Sequence, residues 1–93
     1  MRSYAVVDRI EGDYAVCELE LISTTESNHE DFRSKETEMV DVPVSTITDV
    51  TGEVNESDVL VVEQDRGTIT RICYMDNEEK ERRIELIRLI LNN

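Results

Sequence analysis

The sequence predicts an α+β domain: a small antiparallel β-barrel, or a curled five-stranded sheet, followed by one C-terminal α-helix. Three observations carry this. Five short runs rich in Val, Ile, Leu and Tyr are separated by polar or Gly-containing segments. Inside those runs apolar and polar residues alternate, which places one apolar face on a core. The last apolar run abandons period two and follows a helix-start signal at Asp76.

The first strand, 3–10, opens with Tyr4-Ala5-Val6-Val7, and the second, 14–22, with Tyr14-Ala15-Val16-Cys17. Between them Glu11-Gly12-Asp13 supplies a Gly where a tight connection needs positive φ. In the second strand Cys17, Leu19 and Leu21 alternate with Val16, Glu18 and Glu20, the period-two signature of a half-buried strand. Residues 23–36 are polar with neither period, which reads as a long, exposed and mobile hairpin tip in which Phe32 alone seeks burial.

Strand character resumes over 37–44, where Val40, Val42 and Val44 alternate with Asp41 and Pro43. The Pro indicates a sheet edge or a strand end. Residues 45–56 read as a turn-rich connection anchored by Ile47, Val50 and Val54. Val59-Leu60-Val61-Val62, in the strand 58–64, is the most apolar run and belongs in the middle of the sheet. Asp65-Arg66-Gly67 turns the chain into the last strand, 68–74.

The helix, 76–91, starts at Asp76 as N-cap with Glu79 three residues on, a capping-box pattern. Its apolar residues Ile84, Leu86, Ile87, Leu89, Ile90 and Leu91 sweep roughly 220° of the helical wheel, about twice the stripe that a surface helix needs. Either the sheet wraps the helix deeply or part of the helix meets another chain. Leu86, Leu89 and Ile90 are the candidates for the partner-facing side, with Ile84, Ile87 and Leu91 toward the barrel.

The 93 residues make a single domain, 1–93, and the composition is that of a folded chain with 39% hydrophobic residues. A net charge of −12 disfavours nucleic acid and anionic membrane surfaces, which attract clustered bases. The apolar runs are too short to span a membrane, so no membrane association is expected. With no secretory pattern before Tyr4 and no Cys-x-x-Cys pair, the expectation is a cytoplasmic protein with reduced thiols.

Catalytic chemistry has little to stand on. The one His, His29, lies in the polar loop, and Cys17 and Cys73 sit at strand positions where they fill a core. Glu26, His29, Glu30 and Asp31 cluster without a regular ligand spacing, so weak metal binding by the 26–31 loop is an alternative only. No catalytic residue, cofactor site or metal site is assigned. Asp8 and Arg9 interrupt an apolar strand and read as a surface ion pair or a partner contact.

The block Asp8-Arg9-Ile10-Glu11-Gly12-Asp13-Tyr14-Ala15-Val16-Cys17-Glu18 resembles the opening of a small bacterial family known only as a domain of unknown function (number three thousand and six). Val42-Pro43, Asp58-Val59-Leu60 and the closing Glu81-Arg82-Arg83-Ile84-Glu85-Leu86-Ile87 follow in the family's order, and the likeness covers about two thirds of the chain. Ser57 departs from it, standing where the family has Gly. The 23–36 loop is longer, and Leu89-Ile90-Leu91-Asn92-Asn93 replaces an aromatic-ended tail. The resemblance implies a shared small β-plus-helix fold and an accessory role beside metallo-hydrolase domains; the barrel expected from the strands is of the SH3-like kind. The functional expectation is a non-catalytic module that binds a protein partner, or a copy of itself, through its C-terminal helix. A nucleic-acid-binding small barrel is the alternative from another class.

Overall fold

The computed structural model describes residues 1–22 and 36–92, and in it the chain runs β1 (Arg2–Glu11), β2 (Tyr14–Glu20), β3 (Thr37–Pro43), α1 (Val44–Thr51), β4 (Val59–Asp65), β5 (Thr68–Met75) and α2 (Asn77–Leu91). The strands form one antiparallel sheet in the order β3-β2-β1-β4-β5. All five expected strands are present, and the fold is α+β. Of the two forms that the sequence leaves open, the sheet is the unclosed one: β3 and β5 are its two edges.

The edges nevertheless approach each other. Val40–Pro43 of β3 and, on the other side, Gly67 of the β4–β5 turn with Thr68–Ile72 of β5 line one cleft of about 420 Å³. At the β4–β5 turn, a Cβ added to Gly67 would meet the Glu38 carboxylate of β3 at 2.5 Å. That turn has φ of 52° at Arg66 and 88° at Gly67, the two positive values of a hairpin turn matched to the strands' own twist.

What fills the gap between the edges is α1, which packs on both β3 and β5. Residues 44–51 are therefore a helix, which corrects the expectation of a turn-rich connection. Six of its eight residues are β-branched, a poor helix composition. Two signals bracket it all the same: Pro43 at its start, and Gly52 at φ 86° just past its end, whose N–H donates to Thr48 O. Burial decides the outcome, because Ile47 is fully enclosed in the core. Val54 packs against the same core, whereas Val50, expected as a third anchor, is half exposed.

Alternation along the strands builds two surfaces. Inward point Ala5, Val7, Ala15, Cys17, Leu19, Val42, Leu60, Val62 and Ile72, which with Ile47 make the core. At one end the inward positions are polar but satisfied: the Gln64 amide donates to Ser3 Oγ, and Gly67 N–H donates to Gln64 Oε1. Outward on β4 point Val59 and Val61, which are equally buried, so the run Val59–Val62 is covered on both faces. The outer cover is α2.

Just before β4, Ser57 has a φ of 73° and its N–H donates to Val7 O. The left-handed region costs a residue with a Cβ about 1–2 kcal/mol, which Gly avoids. Ser57→Gly removes that cost and adds the backbone entropy of Gly, roughly 0.5–1 kcal/mol. A net gain of about 0.5–1 kcal/mol is expected, read as a higher denaturation midpoint at unchanged slope. A lower midpoint would show that the Ser57 side chain contributes more than its backbone costs.

Candidate functional site

α2 begins where the sequence places it. Asp76 is the N-cap and its side chain accepts from Glu79 N–H at 2.9 Å. The helix then crosses the outer face of the sheet, but no residue of it joins the inner core. Its one buried residue is a carboxylate, Glu79.

The contacts that dock α2 are mostly polar and come from its first half. Lys80 Nζ reaches Asp58 Oδ1 at 2.8 Å, while Asp58 Oδ2 accepts the N–H of Asn55 at 2.7 Å. Asp58 is itself buried, so it holds both the turn before β4 and the helix. Arg83 meets Glu20 of β2 at 2.9 Å and lies over the Tyr4 ring of β1, 5.0 Å from its centroid. Arg82 and Arg83 both donate to Glu79. Burial by itself pushes the Glu79 carboxyl up, but the two guanidinium groups outweigh it and hold it below its ordinary value. Glu20, which alternation places in solvent, is buried because Arg83 covers it.

Apolar side chains meet at a small cavity beside these charges, where Ile84 and Ile87 line one wall and Val6 and Val59 the other. Beyond it the helix is bare. Exposure is 57% at Ile87 and Leu89, 72% at Ile90 and 77% at Leu91. Ile87 and Leu91 were expected toward the barrel: Ile87 does line the cavity against Val6 and Val59, although more than half of it stays exposed, whereas Leu91 is bare. Ile84 is half-buried on the sheet side, and Leu86 is half-buried too. Arg83, Leu86, Ile87 and Ile90 together line an almost wholly apolar notch of about 360 Å³ along the bare half. Deep wrapping of the helix, one of the two ways to account for its wide apolar sweep, is not what the fold does.

Asp8 and Arg9 are not brought to this surface. They lie at a bulge in β1 just past Val7, with about half of each side chain exposed. Arg9 pairs with Asp8 at 2.7 Å and also donates to Glu11, which is the surface ion pair that the sequence suggests.

Comparison with known protein families, curated proteins and solved structures finds no match.

Reactive chemistry finds little support in the geometry. Cys17 is fully buried, and burial pushes its thiol up to about 11, the opposite of an activated nucleophile. Cys73 lies half-buried on β5 and, like Cys17, is a free thiol. No group of three or more His, Cys, Asp or Glu side chains among the described residues is placed to hold a metal ion. Glu26, His29, Glu30, Asp31 and Phe32 lie outside the described residues. Tyr14 and Tyr74 are half exposed, but their strands are separated by two others in the sheet order. Among the described residues no helix is long and apolar enough to cross a membrane.

Sequence reasoning identified the bare apolar half of α2 and missed the charged dock under its other half. The missed residues, Glu20, Asp58 and Glu79, carry no signal of burial in a chain with 22 acids.

Proposed function

We propose that this protein is a non-catalytic interaction module whose binding surface is the C-terminal half of α2, with Leu86, Leu89 and Ile90 as its central residues. The observation that carries the reading is the division of the helix. Its first half anchors it by three carboxylates and three bases, and its second half presents four large apolar side chains to water. Such a contiguous apolar strip is atypical of a free surface and typical of one that another surface covers. The polar dock leaves the apolar residues free for that purpose.

The resemblance to the domain-of-unknown-function family supports an accessory role. The left-handed backbone at Ser57, where that family has Gly, is in keeping with a shared loop geometry. A cytoplasmic location belongs to the same reading.

The proposal requires that the strip contribute nothing to folding. The double variant Leu89→Lys, Ile90→Lys places cations near the helix C-terminus, where the dipole tolerates them. At a dilution where copies are apart, its stability is expected within about 0.5 kcal/mol of the natural chain, as for a surface substitution. The measurement is denaturant unfolding followed by circular dichroism. A loss of about 2 kcal/mol or more would mean that the strip belongs to the fold, and the proposal would fail.

A further inference from the structure

We infer that the outer edge of β3 takes up an extended segment of a partner protein, apolar and basic by turns, as a further antiparallel strand. The site is the cleft between β3 and β5, a surface separate from α2.

Backbone geometry points to an occupant that is itself a strand. Leu21 N–H donates to Glu36 O and Val44 N–H donates to Asp13 O, and the β2–β3 register between those ends is unbroken. The backbone groups of Glu38, Val40 and Val42 therefore face β2, and those of Thr37, Met39 and Asp41 face away from it. Among the described residues no backbone hydrogen bond reaches this outer edge. It is a regular row of donors and acceptors, the feature by which a sheet takes on a strand. β5 differs, because its ladder with β4 slips twice, at Val61/Val62 and at Glu63/Gln64. Such bulges put an edge out of step with a regular strand. β3 is thus the template, and β5 is the facing wall. All neighbouring strands are antiparallel, so β3 and β5 run the same way. A segment opposed to β3 is opposed to β5 as well, the direction that the rest of the sheet uses.

Side chains specify the rest. Val40, Val42, Ile69 and Ile72 line the cleft and join the inner core or pack against it. Every second residue of the segment therefore meets apolar surface. α1 reaches the cleft with Thr46 alone, so the space between the edges is open to a strand beyond it. β3 carries Glu38 and Asp41, with Glu36 just before it, and no base. Among the described residues none of these three acids has an ion-pair partner. The one base that lines the cleft, Arg71, stands on β5, away from the template edge. Basic residues of the segment find their counter-charges on β3, and the net charge of −12 steers a basic segment in and an acidic one away.

The test uses the natural chain and a peptide of alternating valine and lysine, about six residues long, followed by residue-resolved amide hydrogen exchange. At millimolar peptide the N–H groups of Met39 and Asp41 are expected to exchange at least about tenfold more slowly. Those of Val40 and Val42, already bonded to β2, are expected to change little. The same peptide with its backbone N-methylated has no donors for the edge and is expected to protect neither residue. A peptide of alternating valine and glutamate is expected to bind at least about tenfold less tightly. Unchanged exchange at Met39 and Asp41 overturns the inference. Equal binding of the methylated peptide overturns strand pairing, and equal binding of the glutamate peptide overturns the basic partner.

Discussion

Ile47→Ala is expected to cost about 2–5 kcal/mol, the largest effect of any single truncation outside the strands. Ile47 is fully buried and is the one residue of α1 in the core. It fills the space where β3 and β5 fail to pair, against strands that belong to opposite edges of the sheet. Truncation leaves a cavity that neither edge can close, because each is held by its other neighbour in the ladder. The loss also removes the most deeply buried of the contacts that hold a β-branched segment helical. A domain of this size has on the order of 5–10 kcal/mol to lose. The variant is therefore expected to be partly unfolded at 37 °C, measured by thermal unfolding under circular dichroism. A cost below about 1 kcal/mol would show that α1 is dispensable to the core.

Glu79→Gln is expected to release α2 while the sheet stays folded. Glu79 is the buried carboxylate on which Arg82 and Arg83 converge, and Arg83 in turn faces Glu20 of β2 and Tyr4 of β1, with Lys80 on Asp58 alongside. Removing one member of a buried ionic set leaves the others uncompensated. The cost is about 2–3 kcal/mol, below the usual figure for a buried pair because Arg82 keeps about a third of its surface in water. Since α2 supplies nothing to the inner core, that loss falls on docking. Amide hydrogen exchange is expected to show lost protection in 77–91 with β1 and β4 retained. Uniform loss of protection would mean that helix and sheet unfold as one unit.

Acid acts in the same direction. The Glu79 carboxyl is held below its ordinary value of 4.5, so the docked state binds its proton less readily than the released one. Docking stability is complete above about 4.5 and is lost as the pH falls through the lowered value. Protection of α2 is expected to fail at a higher pH than protection of the sheet.

Particular residues show what was legible and what was not. Tyr4–Val7 against Ala15–Leu21, Val40–Pro43 and Thr68–Ile72 alternate visibly, and the strands stand there. Val59–Val62 reads as central, and its strand is an interior one, although β1 holds the middle of the sheet. Pro43 reads as an edge or a strand end and is both, at the end of edge strand β3. Asp76 and Glu79 announce α2, and the cap is made. Residues 44–51 misled because composition argues against a helix there, while the punctuation by Pro43 and Gly52 argues for one. The apolar strip of α2 was legible because excess apolar arc is a property of the sequence alone. Its accompanying assignment of Leu91 to the sheet side was not, because the point at which a helix leaves its support depends on where the support ends.

The sequence by itself therefore determined the elements whose cause is local: the strands by period two, the turns by Gly, the start of α2 by its cap, and the surplus of apolar surface on that helix. Tertiary structure alone decided that the sheet would stay open, that a β-branched segment would coil to fill the opening, and that Glu20, Asp58 and Glu79 would be buried as the dock of α2. Those outcomes share one physical reason. Burial belongs to pairs of surfaces brought together across the fold, and a carboxylate carries no mark of whether an arginine from a distant segment will cover it.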